Sequence, residues 1–205
     1  MSSNIRQLKP PEEAFTKVYM EAKKADAIII CEGKTEVEIL KAIIRKLNPM
    51  LKGYVLVTDA EGIDMAKELI KIFVSIRKLV RKIKVIGLII DAEDLKPETR
   101  FKSIIDSIKS INIRVVESRN VCKQVFSFKI DHLIFYISVS GIEGYGIKMN
   151  IENHIEMLKS LGVQINSNKP EIIAKIIEET DDKKIRKAFY HIICLLYNFK
   201  KILDR

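Results

Sequence analysis

Apolar positions along this chain follow two rhythms. Unbroken, β-branched runs occur at AIIIC (27–31), YVLVT (54–58) and KVIGLIID (84–91). Runs of that kind belong to strands covered on both faces, as in a parallel sheet. Between them the spacing lengthens to three and four residues. TEVEILKAIIRKL (35–47), GIDMAKELIKIFVSIRKLVRK (62–82) and RFKSIIDSIKSI (100–111) therefore read as amphipathic helices, with Asn48-Pro49 ending the first. IRVVES (113–118) reads as a fourth strand. Strands alternating with helices predict an α/β fold, a Rossmann-like, mainly parallel sheet flanked by helices.

The two ends of the chain depart from this alternation. The opening through Pro11 reads as a loose arm, followed by helical spacing in EEAFTKVYMEAKK. After the fourth strand, QVFSFKI (124–130) and LIFYISVSGI (133–142) are separated only by Asp131-His132. That spacing predicts an antiparallel hairpin added at the sheet edge. Beyond Gly146 the pattern is helical over 150–161, 170–179 and 182–203, with QINSNKP as a linker. The expected organisation is an N-terminal arm and helix (1–25), an α/β core (26–118), a β-hairpin extension (119–148) and a C-terminal helical cap (149–205).

Composition narrows the partners. The 205 residues suit one domain with a substantial extension, and 47% hydrophobic with 31% charged residues describes a globular chain. Lys and Arg number 36 against 27 acids, a net charge of +9, which raises nucleic acid as a partner. Lysine-rich chains that bind nothing are common, so charge alone decides little. No apolar run is long enough to span a bilayer. Cys31, Cys122 and Cys194 show no metal-ligand spacing, and no secretory signal opens the chain. A reduced, cytoplasmic compartment is the expectation, with no membrane partner.

Candidate chemistry begins at IIICEGKTEVEIL (28–40). Its "GKT" suggests a phosphate-binding loop, but such a loop needs a glycine five positions before the Gly-Lys pair, and Ile28 stands there. Thr35 with Glu38 instead reads as a capping box opening a helix. Glu32 then lies at the carboxyl end of the first strand, where open α/β sheets bind ligands, in a turn opened by Gly33. The third strand ends in LIIDAEDLKPETR, which brings Asp91, Glu93 and Asp94 to the same sheet edge. In extended geometry Asp91 and Glu93 point to one side. If the first and third strands are neighbours, Glu32 faces Asp91. A divalent cation would relieve the repulsion of such a cluster, although an acidic loop tip solvated by water would also satisfy the pattern.

"CEGKTE" and "IIDAED" together resemble the two signatures of the Toprim domain, shared by topoisomerases, bacterial-type primases and OLD-family nucleases. The OLD-type "EGxTE" variant is the most similar. The pattern also resembles small stand-alone Toprim-like proteins of unassigned function, found chiefly in archaea. The resemblance spans about residues 26 to 118 and leaves out the C-terminal helices. It implies Mg²⁺ or Mn²⁺ as cofactor, with acid/base chemistry or metal binding at Glu32 and metal coordination by Asp91 and Glu93. The family pair is D-x-D, whereas this chain has D-A-E, so Asp94 enters as a further ligand candidate. Gly62, in VTDAEGID, stands where Toprim proteins turn sharply into the next helix.

Other residues carry weaker signals. Lys34 could contact a phosphate or be solvated. Glu36, in the first helical turn, suits the helix dipole, and a supporting role remains open. Asp59, Glu61 and Asp64 read as an ordinary acidic turn in preference to a second metal shell. His132, His154 and His191 match no metal or catalytic spacing and read as structural or exposed. The glycine-containing SGIEGYGIK is a connection or a binding loop. The basic stretches at 77–84 and 183–201 would form a phosphate-backbone track if they shared one surface.

The reading that follows is metal-dependent phosphodiester chemistry on DNA or RNA, as a nuclease. Two alternatives stand beside it: a non-catalytic Toprim module binding nucleic acid or a protein, and a phosphohydrolase of small nucleotides. Self-association is left open.

Overall fold

The computed structural model describes residues 4–8 and Glu117 as backbone, and the remainder of 20–79 and 81–205 with side chains. Among the described residues seven strands form one sheet: β1 (Asn4–Leu8), β2 (Ala27–Cys31), β3 (Tyr54–Asp59), β4 (Val85–Asp91), β5 (Val116–Cys122), β6 (Val125–Ile130) and β7 (Leu133–Ser140). Their spatial order is β1-β3-β2-β4-β7-β6-β5. The pairs from β1 through β4 to β7 are parallel, and β7-β6-β5 are antiparallel. The helices are α1 (Lys34–Leu47), α2 (Ile63–Ile76), α3 (Pro97–Lys109), α4 (Ile151–Ser160), α5 (Pro170–Glu179), α6 (Asp182–Ala188) and α7 (Tyr190–Leu203). This is the α/β architecture that the apolar pattern predicts, with its hairpin and its C-terminal helices.

The period-two alternation of the strands divides the core in two. Ile29, Val57, Val85 and Ile89 face α1 and the C-terminal helices. Ile28, Leu56, Ile86, Leu88 and Ile90 face α2 and α3. Gly87 lies on the C-terminal-helix side of the central strand, where a Cβ would come within 2.7 Å of the Phe199 ring. The missing side chain lets α7 pack against the sheet.

Five expectations are revised. The hairpin does not sit at the edge: β7 pairs with β4 and is buried at seven of its eight positions. An apolar run of that length needs cover on both faces, which only an inner position supplies. The fourth strand is not parallel and starts at Val116, three residues later than expected. It runs through the polar VESRNVC as the antiparallel edge. The helix over 62–82 stops at Ile76, with turns after it. Asn4–Leu8, read as a loose arm, pairs with β3 as the other edge strand. Of the helix expected over 12–24, residues 20–22 are helical, and its earlier part lies outside the described residues. Finally, Cys122 and Cys194 form a disulfide joining β5 to α7, so only Cys31 remains a free, buried thiol. Their spacing of 72 residues gives no hint of it in the sequence.

Candidate functional site: an acidic pocket at the strand ends

The carboxyl ends of β2 and β4 are adjacent because these strands pair in parallel, with Cys31 beside Ile89. The next residue, Glu32, continues that ladder by donating its N–H to the Ile89 carbonyl at 2.9 Å. Its side chain turns across the gap, and Oε2 accepts the Asp91 N–H at 2.9 Å. Asp91 ends β4 beside Ser140 of β7, and its Oδ1 accepts the Ile151 N–H at 2.9 Å, at the first turn of α4. Glu32 and Asp91 thus occupy one site, although 59 residues separate them.

Glycines shape the approach. Gly33 is the N-cap of α1, and a Cβ there would come within 3.2 Å of the Glu36 carboxylate. Gly62 has φ +123°, a conformation open to glycine, and donates its N–H to the Glu32 carbonyl at 2.8 Å. The turn after β3 is thereby fastened onto the end of β2.

The expected capping box does not form. No side chain caps α1 at its N-terminus, and Glu38 pairs with Lys41 at 3.0 Å. Glu36 bends back toward the start of the helix instead and is only 4% exposed. It is more than an acid favoured by the helix dipole. Burial raises its carboxyl to about pH 7, and the charges of Glu32 and Glu152 push the same way, against backbone hydrogen bonds from Glu36 itself and Gly33.

Asp91 is driven further. Burial raises its carboxyl to about 9, reinforced by Glu36, Glu32 and Glu152, while the hydrogen bond from Ile151 opposes the shift. Glu32 is also raised, chiefly by burial, against the Asp91 N–H bond and the nearby Arg100 charge. The site therefore gathers more carboxyl groups than its surroundings would neutralise if all were ionised, and burial holds protons on Asp91 and Glu36.

Glu93 and Asp94 do not line up beside Asp91 as expected, although the charge of Glu93 still acts on Glu32. The chain leaves extended geometry after Asp91, and Glu93 takes a left-handed φ of 54°, so the same-side argument for Asp91 and Glu93 fails. Glu93 is held by paired backbone hydrogen bonds with Met149, at 2.7 and 3.0 Å, and by an ion pair with Lys148 at 2.8 Å. Asp94 is exposed. Lys34 points away to Glu171 of α5, at 2.5 Å. The two basic stretches also fail to form one track, because the first follows α2 and the second lies on α6 and α7, across the sheet.

Sequence reasoning missed Glu152 and Arg100, whose charges act on the pocket. His154 and His191, read as structural or exposed, form a buried structural pair near it. His154 and His191 pack with ring centroids 4.0 Å apart. His154 accepts the Gly141 N–H through Nε2 at 2.9 Å and bonds the Ala188 carbonyl through Nδ1 at 2.7 Å. His191 Nε2 lies 3.3 Å from the Ser140 hydroxyl. Burial lowers His154 to about 4 and His191 well below its usual value, so both rings are neutral and brace the end of β7. The one available signal for Glu152 was Asn150-Ile151-Glu152, a helix start directly after the glycine loop.

Among the described residues no three His, Cys, Asp or Glu side chains are grouped closely enough to hold a metal. The donors that are present suit a hard cation nonetheless. Magnesium is commonly held by one or two carboxylates, with water and substrate phosphate completing its shell. Glu32 and Asp91 supply such a pair, in a pocket short of positive charge.

Comparison with known proteins adds a family. A family described as "Protein of unknown function (DUF3226)" matches residues 26–135, from the start of the core into β7, and so includes Glu32, Glu36 and Asp91. No curated protein matches the chain. Among solved structures, the C-terminal region of the OLD protein of Xanthomonas campestris pv. campestris is similar at 16% identity, over 87% of this chain and 84% of that one. Its TM-score is 0.30, a likeness too loose to align the two sites.

Proposed function

The chain belongs to this family of unknown function, DUF3226, and we propose that it is a Toprim-type enzyme that hydrolyses phosphodiester bonds of nucleic acid with Mg²⁺ or Mn²⁺. The observation that carries the reading is the reach of the Glu32 carboxylate across the ends of β2 and β4, where it accepts the Asp91 backbone N–H at 2.9 Å. The "CEGKTE" and "IIDAED" signatures that resemble Toprim are the segments that bring these two carboxylates together. The net charge of +9 supports a polyanionic substrate.

Glu32 and Asp91 would hold the cation, which when bound offsets charge on the phosphate and makes water more acidic. Glu32, whose carboxyl burial raises above its ordinary value, would take the proton of the attacking water. As the water oxygen bonds to phosphorus, the bond to the leaving sugar oxygen breaks. Asp91 keeps its position through the Ile151 N–H, and the end of α4 fixes its carboxylate. Arg100, whose guanidinium donates to the Ala92 carbonyl at 3.1 Å, supplies nearby positive charge. Glu36 modulates the charge of both acids from the start of α1.

The test is cleavage of single- and double-stranded DNA and RNA in Mg²⁺ or Mn²⁺ by the wild type, Glu32→Gln and Asp91→Asn. The expected outcome is metal-dependent cleavage that falls by about a hundredfold or more in either variant. Cleavage unchanged in both variants would refute the site. Tight, salt-sensitive binding without turnover would instead identify a non-catalytic module.

A further inference from the structure

A polar cavity lies away from the acidic site. It has a volume of about 320 Å³ and opens between β5, β6, the start of β7 and α7. Arg119, Lys129, Lys201 and Arg205 line it, together with the hydroxyls of Ser127 and Tyr136. No acid lines it. None of the four cations forms an ion pair among the described residues, although Lys201 lies over the Tyr197 ring, 4.3 Å from its centre. The neighbouring Asp204 is engaged elsewhere, with Lys200 at 2.7 Å and Lys52 at 3.4 Å.

Four cations line one small concave space, and among the described residues no acid lies there with them. An anion would compensate them. Internal phosphodiesters carry one negative charge each, whereas a terminal phosphomonoester carries about −1.5 to −2 at neutral pH. The cavity is at the small end of ligand sites, which run to about 300–1,000 Å³. Its volume is of the order of a single nucleotide and not of a long stretch of strand. The Tyr136 and Ser127 hydroxyls add neutral donors to the charged ones. The Cys122–Cys194 disulfide ties β5 to α7, the two elements that carry Arg119 and Lys201 on opposite walls.

We propose that this cleft binds the terminal phosphate of a nucleic-acid strand. It stands apart from the acidic site: β7 leaves the cleft at Tyr136 and reaches the acids at Ser140, a rise of about 13 Å over four residues. The binding claim does not depend on the catalytic one.

The experiment is fluorescence anisotropy with internally labelled single-stranded oligonucleotides carrying a 5′-phosphate, a 3′-phosphate or hydroxyls at both ends. EDTA is present, so no metal-dependent turnover intervenes. One phosphorylated probe is expected to bind about tenfold more tightly than the hydroxyl probe, as charge-assisted contacts would give. The Lys129→Ala/Lys201→Ala double variant should lose that preference while keeping the wild-type melting temperature. Equal affinity for all three probes, or a preference that survives in the double variant, would overturn the assignment. A nucleoside monophosphate that displaces the probe as well as an unlabelled phosphorylated strand would also overturn it, by making the cleft a site for free nucleotides.

Discussion

Buried among Glu36, Glu32 and Glu152, Asp91 keeps its proton to about pH 9 in the folded chain, and Glu36 keeps its own to about 7. Their unperturbed values are 3.8 and 4.5, so between these limits the folded state binds more protons than the unfolded one. Stability then falls as pH rises. The favourable contribution is complete below about pH 4 and is lost as pH climbs through 7 and then 9. The melting temperature should accordingly decline from pH 5 to pH 9, and Asp91→Asn should flatten the decline and raise the melting temperature at pH 8. Thermal scans across this range check both, and a slope unchanged by Asp91→Asn would contradict the assignment. A cation bound to these acids displaces their protons. Mn²⁺ should therefore raise the melting temperature more at pH 8 than at pH 5, and chelation should reverse the effect. Legibility at this scale was uneven. Glu32 and Asp91 were readable because each ends a buried strand. Glu36 was not, since an acid in a first helical turn looks the same whether it faces solvent or folds back into a pocket. Glu93 was misjudged because its left-handed backbone leaves no trace in the spacing "DAED".

Among the elements, β2, β3 and β4 could be read directly, because unbroken apolar runs are ambiguous only in their order. The neighbour relation of β2 and β4, on which the site depends, came from the general tendency of parallel crossovers and not from any residue. β7 was the hard case. Its two-residue turn with β6 signals a hairpin, and only the longer apolar run of LIFYISVS hints that this strand, and not VFSFKI, continues the parallel sheet. β1 was missed because NIRQL is polar and short, a composition typical of edge strands. Gly87 offers a test of how the C-terminal helices sit on the sheet. Gly87→Val should destabilise the protein by about 1–3 kcal/mol through overpacking against Phe199, which shrinking Phe199 to leucine should partly restore. Chemical denaturation of the single and double variants measures the coupling. Independent, additive losses would remove Phe199 as the partner.

For the whole molecule, the sheet separates two kinds of chemistry: buried carboxylates at the carboxyl ends of its parallel strands, and a cationic cleft where β7 begins. The C-terminal helices join both. α4 presents Ile151 to Asp91, and α7 forms a wall of the cleft. The scattered cysteines gave no hint that β5 and α7 are bonded. Under denaturing, non-reducing conditions alkylation should label one cysteine, Cys31, and after reduction all three. Three labelled thiols without reductant would contradict the bond. Where it is intact, reduction should cost about 2–4 kcal/mol, by releasing a long loop in the unfolded chain. No described helix is long and apolar enough to cross a membrane. The central claim is that Glu32 and Asp91 form a cation site, and a crystal soaked in Mn²⁺ tests it most directly. The account predicts an anomalous peak between these two carboxylates, absent in Asp91→Asn crystals soaked in the same way. No peak there in the wild type, at a Mn²⁺ concentration that supports or saturates any activity, would contradict it.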